Sequence, residues 1–162
     1  MRIAICEDSQ LDRELLVDVV GHYAAQRSRA IQVTAYDGGL GLVRDMEDGG
    51  YYDLVFLDNL MDDMLGIQVA RRLRELNYQG PLVFISSTDA YAVAGYQVAA
   101  AAYLLKPYDY ETVAEVLDKT GRSKEDKELL AQIENRLSTI ARLGRAFGIH
   151  LILATQRPDA NI

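Results

Sequence analysis

The sequence predicts an α/β domain built on a parallel sheet, and three observations predict it. Short apolar runs alternate with amphipathic stretches of helix length over the first 120 residues. The central runs IAIC, LVFL and LVFIS are continuously apolar, the pattern of strands covered on both faces. Gly38-Gly39, Gly49-Gly50 and the segment from Asn77 to Pro81 punctuate the chain between those runs.

Taken in order, the first strand covers Arg2–Cys6. A helix over 10–27 comes after Asp8 and Ser9, residue types that cap helix N-termini. The second strand covers Ile31–Tyr36, and the glycine pairs bracket a helix over 39–47. The third strand, Asp53–Leu57, leads to a helix over 66–77 that closes before Pro81. The fourth strand is Pro81–Ser86, then comes a helix over 89–98, and the fifth strand is Ala101–Leu105. After Pro107 the stretch DYETVAEVLDKTG reads as a last helix. Right-handed crossovers between parallel strands place helices on both faces of such a sheet.

The helical pattern runs on from residue 110 to 147, which at 1.5 Å per residue would span roughly 55 Å, wider than a small domain. Gly121 and Ser123 offer a break, with Ser123 as a cap and Asp126 three residues later. Leu130, Ile133, Leu137, Ile140, Gly144 and Phe147 then form one apolar stripe, and Ile149–Thr155 reads as a buried strand. The expected organisation is a domain over 1–120 and a helix-strand extension over 121–162. The extension could add a sixth strand beside Ala101–Leu105. The favoured expectation is that helix 124–147 pairs with its copy in a homodimer, because the stripe exceeds what one sheet edge could cover.

Composition narrows the function. The chain has 162 residues, 49% of them hydrophobic and 25% charged, enough for a real core. A net charge of −7 argues against a nucleic-acid surface. No segment approaches the ~20 apolar residues that span a bilayer, and the N-terminus MRIAICED has no secretory pattern. No membrane association and a cytoplasmic location are expected. Cys6 has no partner for an internal disulfide and is expected to be buried and reduced. His22 and His150 lie far apart in sequence and read as ordinary helix and loop residues. Tyrosines 51, 52, 91, 96, 108 and 110 read mostly as amphipathic rim residues.

In open parallel sheets, function gathers at the carboxyl ends of the strands. Those ends carry Glu7 and Asp8, Asp58, Ser86 and Ser87, and Lys106: three carboxylates, two hydroxyls and an ammonium from four strands. Each residue alone has a bland reading, Asp8 as a cap and Lys106 as a surface charge. Together they suit one chemistry. Clustered carboxylates need a counter-charge, and oxygen ligands suit a hard cation such as Mg²⁺. A carboxylate can attack phosphorus to form an aspartyl phosphate, while a metal and an ammonium neutralise the transferring group. A hydroxyl can hydrogen-bond a phosphoryl oxygen on arrival.

The segments CEDS, LVFLDNLMDDMLG, FISS and YLLKP resemble the signature segments of two-component receiver domains. The resemblance covers roughly residues 1–110. It implies a flavodoxin-like, doubly wound, five-stranded sheet of order 2-1-3-4-5, and a signalling domain rather than an enzyme. It also implies that Asp58 accepts phosphate from a sensor histidine kinase. Glu7, Asp8, Asp58 and the backbone carbonyl of Leu60 would hold Mg²⁺. Lys106 would pair with the phosphate, Ser86 would be the switch hydroxyl and Tyr103 the switch aromatic. The stretch ISSTDAYAVAGYQVAAAAYLLKP resembles the LytTR-type branch, whose members couple a receiver to a DNA-binding domain. Two departures stand out. Asp62 comes after Met61 where the family usually has proline, and Ala99–Tyr103 stands where members commonly have an Asn-Ala-Leu-Asp-Tyr-like segment.

The segment after Thr120 is not a LytTR DNA-binding domain. ELLAQIENRLSTIARLGRAFGIHLILATQRPDANI resembles part of the FtsK/SpoIIIE-type DNA-translocase ATPases, with Gln156 matching a glutamine that faces their nucleotide. Glu111 and Thr112 stand where those ATPases carry an acidic pair, and no G-x-x-x-x-G-K-[ST] loop is present. The fragment cannot be an ATPase alone; it reads as a structural piece, and the abrupt change of family looks like a fusion. Three functional classes remain: a phosphoacceptor, a receiver-fold interaction module that no longer signals, and a Mg-dependent phosphohydrolase of the haloacid-dehalogenase type. The last wants a second Asp two residues after its nucleophile, where Leu60 stands.

Overall fold

Residues that alternate along the central strands bury themselves on opposite sides of one sheet, and this sets the whole architecture. In the computed structural model, which describes residues 1–121, 132, 133 and 135–140, the chain alternates five strands with five helices up to Thr120. They are β1 (Arg2–Cys6), α1 (Gln10–Gln26), β2 (Gln32–Tyr36), α2 (Gly39–Glu47), β3 (Leu54–Asp58), α3 (Gly66–Glu75), β4 (Leu82–Ser86), α4 (Ala92–Gln97), β5 (Ala102–Leu105) and α5 (Tyr110–Thr120). All strand pairs are parallel and the order is β2-β1-β3-β4-β5, the predicted flavodoxin-like α/β arrangement.

Every residue of β3 and β4 is buried, as their unbroken apolar runs require. Ala4, Cys6, Val55, Leu57, Leu82 and Phe84 face α2 and α3. Ile3, Ile5, Leu54, Phe56, Val83 and Ile85 face α1 and α5, where Leu16, Val20, Tyr23, Val113 and Leu117 complete a second core. Full burial of each such side chain contributes about 1.5–3 kcal/mol, so the two cores hold the strand ends rigidly. Residues Met1–Gly121 form one compact unit.

Some expected boundaries move. The helix expected over 89–98 spans only Ala92–Gln97. Thr88 Oγ1 accepts the Ala90 N–H and the Asp89 carbonyl accepts the Ala92 N–H, so local turn bonds occupy groups that a longer helix would use. The helix expected over 66–77 stops at Glu75, because Asn77 turns left-handed at φ 63°. Asp53 sits just before β3, its carboxylate accepting the Arg2 N–H. Tyr52 is not a rim residue: it is buried and donates its hydroxyl to Asp45 at 3.0 Å. Cys6 is buried and free, and burial pushes its thiol pKa up to about 12.

α5 closes at Thr120, with the Gly121 N–H bonded to the Leu117 carbonyl. Residues 132, 133 and 135–140 are helical, with Ile133 and Ile140 exposed. The expected cap at Ser123, most of the helix over 124–147, the strand at Ile149–Thr155, a sixth strand and the pairing with a second copy lie outside the described residues. Among the described residues, no helix is long and apolar enough to cross a membrane.

Candidate functional site

The strand order reverses between β1 and β3, and this opens a crevice at their carboxyl ends. β1 delivers Glu7 and Asp8 to it and β3 ends on Asp58. Each of the three offers a carboxylate oxygen, and these oxygens all lie within 4.8 Å of one another. Glu7 and Asp58 are buried, and Asp8 is half-buried. Gly66 allows this packing: a Cβ there would stand 2.2 Å from the Asp58 carbonyl oxygen, so the start of α3 can sit against β3 only with glycine.

Lys106 enters from the end of β5 and donates to three carboxylates: Glu7 Oε2 at 2.7 Å, Asp12 Oδ2 at 2.8 Å and Asp58 Oδ2 at 3.2 Å. Burial disfavours its charge. The hydrogen bonds to Asp12 and Glu7 and the nearby Asp58 charge outweigh that, so its pKa lies above the ordinary lysine value. Burial pushes Glu7 up to about 7, opposed by its hydrogen bond to Lys106 and reinforced by Asp58. Two buried acids share one ammonium, so the crevice favours a further cation.

Backbone groups hold the acids in place. The Ser9 N–H donates to Glu7 Oε1 at 3.1 Å, the Leu60 N–H to Asp58 Oδ1 at 3.1 Å, and the Asp62 N–H to Asp8 Oδ2 at 2.8 Å. Proline at position 62 could not make the last of these bonds. Arg13 Nη1 donates to the carbonyls of Glu7 and Asp8. Asn59 is fully buried: its Oδ1 accepts the Ile67 N–H at 3.0 Å, while its Nδ2 has no hydrogen-bond partner among the described residues.

Ser86 ends β4, one residue beyond the register partner of Asp58, and is fully buried. Its hydroxyl accepts the Thr88 N–H at 3.4 Å. The Thr88 carbonyl in turn accepts the Tyr103 hydroxyl at 2.7 Å, and the Tyr103 ring stands 6.0 Å from that of Phe84. The backbone of one residue, Thr88, therefore links the two expected switch residues. Ser87 is exposed. His22 is exposed, bonded to Gln26 and edge-on to Tyr110.

The structure thus gathers Glu7, Asp8, Asp58 and Lys106, and it adds residues that residue type and spacing did not single out. Asp12 is the clearest, and a signal existed: it lies four residues after Asp8, one turn into the helix that begins beside the acidic pair. Thr88 and the Asp62 N–H act through backbone atoms, which leave no mark in residue identity.

Residues 3–118 match the response regulator receiver domain family. The match ends before the segment resembling FtsK/SpoIIIE-type ATPases, so that resemblance gains nothing from it. The chain is 33% identical over 122 residues to the positive alginate biosynthesis regulatory protein of Pseudomonas aeruginosa, covering 75% of this chain and 48% of that protein. It is 31% identical over 122 residues to the sensory transduction protein LytT of Enterococcus faecalis, with the same coverage. The chain thus spans about half the length of these relatives. Its fold is similar to that of the response regulatory domain of mrkE from Klebsiella pneumoniae, with a TM-score of 0.67 at 23% identity over 75% of this chain and 95% of that one. It is also similar to the response regulator TrrA of Thermotoga maritima, solved with Mg²⁺ and BeF, with a TM-score of 0.64 at 22% identity over 74% of this chain and 97% of that one. Fold, matched span and relatives agree, and the chain belongs to the response regulator receiver domain family.

Proposed function

We propose that this chain is the phosphoacceptor module of a two-component system, taking a phosphoryl group on Asp58 from a sensor histidine kinase. The observation that carries the reading is the convergence of Glu7, Asp8 and Asp58 from two strands onto one crevice, with Lys106 reaching Glu7 and Asp58 from a third. The donor set fits Mg²⁺: three carboxylate oxygens in reach of one another, with no nitrogen or sulfur ligand in the set, and one ammonium as the counter-charge shared by Glu7 and Asp58. Glu7, Asp8, Asp58 and the Leu60 carbonyl are the groups proposed to hold it. When bound, the cation would neutralise charge on the transferring group.

The chain's own residues supply the rest. An Asp58 carboxylate oxygen forms the bond to phosphorus while the bond from phosphorus to the donor's imidazole nitrogen breaks, the electron pair leaving with the imidazole. Asp58 Oδ1 is held by the Leu60 N–H, which fixes the carboxylate's orientation. Lys106 stands ready to hydrogen-bond an incoming phosphoryl oxygen, and Ser86 to join it. Dimerisation through the segment after Thr120 remains part of the proposal. Light scattering that finds both the full chain and a chain ending at Thr120 monomeric would remove it.

The test is labelling from acetyl phosphate with Mg²⁺. The wild-type chain should gain one phosphoryl group, and Asp58→Asn none. Wild-type protein that takes no label would sink the reading and leave a receiver-fold interaction module in its place.

A further inference from the structure

We infer that Asp12 is a positioning residue that holds Lys106 back from Asp58 and so sets how tightly the site accepts a phosphoryl group. This rests on the phosphoacceptor reading and extends it to a residue outside the strand-end acids. An ammonium has three N–H donors, and here three carboxylates take them. The two short bonds go to Glu7 and Asp12, and the longest, at 3.2 Å, goes to Asp58. A phosphoryl oxygen on Asp58 must therefore win a donor from one of them.

Glu7 is the poor candidate to yield, because its side chain is only 6% exposed and water cannot take the ammonium's place there. The Asp12 side chain is 37% exposed, so water can replace the ammonium there at small cost. Asp12 is also well placed to hold. It lies in the first turn of α1, where Ser9 Oγ accepts its backbone N–H at 3.4 Å, and Lys106 reaches it across 94 residues of sequence. Phosphoryl arrival converts one carboxylate charge on Asp58 into a group of greater negative charge. The exchange of Lys106 from Asp12 toward Asp58 is the response the geometry permits.

Removing the Asp12 charge frees that donor in advance. Asp12→Asn should therefore bind beryllofluoride, in the presence of Mg²⁺, about fivefold more tightly, the upper range for a partly exposed ion pair. Asp12→Glu, which keeps the charge, should return the affinity to the wild-type level. In a Lys106→Met background, which keeps the apolar stem, Asp12→Asn should have no effect, since the partner is gone. A second readout needs no metal: Lys106 ammonium protons should exchange with water faster in Asp12→Asn than in wild type, by NMR of the lysine side chains. Equal beryllofluoride affinity of Asp12→Asn and wild type, an equal gain in the Lys106→Met background, or unchanged ammonium exchange each overturns the inference and leaves the phosphoacceptor reading intact. Wild-type protein that binds no beryllofluoride with Mg²⁺ overturns the reading beneath it. If Lys106→Met loses all binding, the exchange measurement decides.

Discussion

Lys106 Nζ stands 3.2 Å from Asp58 Oδ2, although the strands that carry the two residues to the crevice, β5 and β3, are separated by the whole of β4. The side chain reaches over β4 because it is the counter-charge for buried Glu7 and Asp58, which would otherwise repel each other. Lys106→Ala should destabilise the metal-free chain by about 3 kcal/mol, the low end of the cost of removing one partner from a buried ion pair. Mg²⁺ binding should persist in the variant and recover part of the loss by mass action. Urea unfolding with and without Mg²⁺ checks this. Unchanged stability in the absence of metal would show that Lys106 is not the cation that holds the acids together.

Thr88 joins Ser86 and Tyr103 through the two peptide groups that flank its Cα, donating its N–H to the Ser86 hydroxyl and accepting the Tyr103 hydroxyl on its carbonyl. A phosphoryl oxygen that draws Ser86 inward would disturb the backbone at Thr88 and, through it, Tyr103. Beryllofluoride should change the solvent accessibility of Tyr103 in the wild-type chain, read by tyrosine side-chain NMR. Ser86→Ala should still bind beryllofluoride with Mg²⁺ but show a smaller Tyr103 response. An equal response in Ser86→Ala would mean that the two residues are not coupled through Thr88.

The parts of this protein legible in its sequence are those decided by burial. β3 and β4 read correctly because both faces are covered and every position must be apolar. The convergence of the acids and Lys106 on one crevice was legible because strand ends of a parallel sheet meet there, so position sufficed to place them together. α4 reads too long because apolar spacing is blind to the turn bonds at Thr88 and Asp89. Asp12 carries a faint mark in the sequence, its place one turn after Asp8, but its role depends on a partner 94 residues away and shows only in the fold. The Asp62 N–H bond to Asp8 is silent, because a backbone donor is common to every residue except proline. The departure from proline at that position is visible in sequence, but its use is visible only in the fold.

Asp63 joins the loop after β3 to the start of α2, its two oxygens accepting the Gly39 N–H at 3.0 Å and the Leu40 N–H at 2.9 Å. Gly38 leaves room for it, since a Cβ there would meet Asp63 Oδ2 at 2.6 Å. Burial works to raise the Asp63 pKa, but the backbone donors of Leu40, Gly39 and Met64 outweigh it and hold the carboxyl below the ordinary range. A depressed folded pKa contributes stability above the unfolded value of about 3.9 and loses it as pH falls through the folded value. Asp63→Asn should cost about 1 kcal/mol at neutral pH, as loss of a helix cap does. The difference from wild type should shrink at acid pH, below the unfolded value. Unfolding midpoints that differ equally at neutral and strongly acid pH would remove the charge from this account.

Ala99 adopts φ +50°, the left-handed region in which an L-residue with a Cβ pays roughly 1 kcal/mol or more and only glycine, asparagine and aspartate sit readily. The surroundings impose it. The Ala99 N–H donates to the Tyr96 carbonyl at 3.2 Å as α4 ends, and the Ala99 carbonyl accepts Arg74 Nη2 at 3.3 Å. Its side chain is exposed, so a larger one meets no core. Asparagine is what the resemblance to receiver domains places here, and the backbone gives the physical reason. Ala99→Asn should stabilise the chain by about 0.5–1 kcal/mol, with the gain arising from relieved strain rather than a new contact. Ala101→Asn, at an exposed neighbour with no positive φ, supplies the control and should bring no such gain. Chemical unfolding of the two variants beside wild type makes the comparison. A gain at both positions, or at neither, would show that left-handed strain at residue 99 is not what separates this chain from its relatives there.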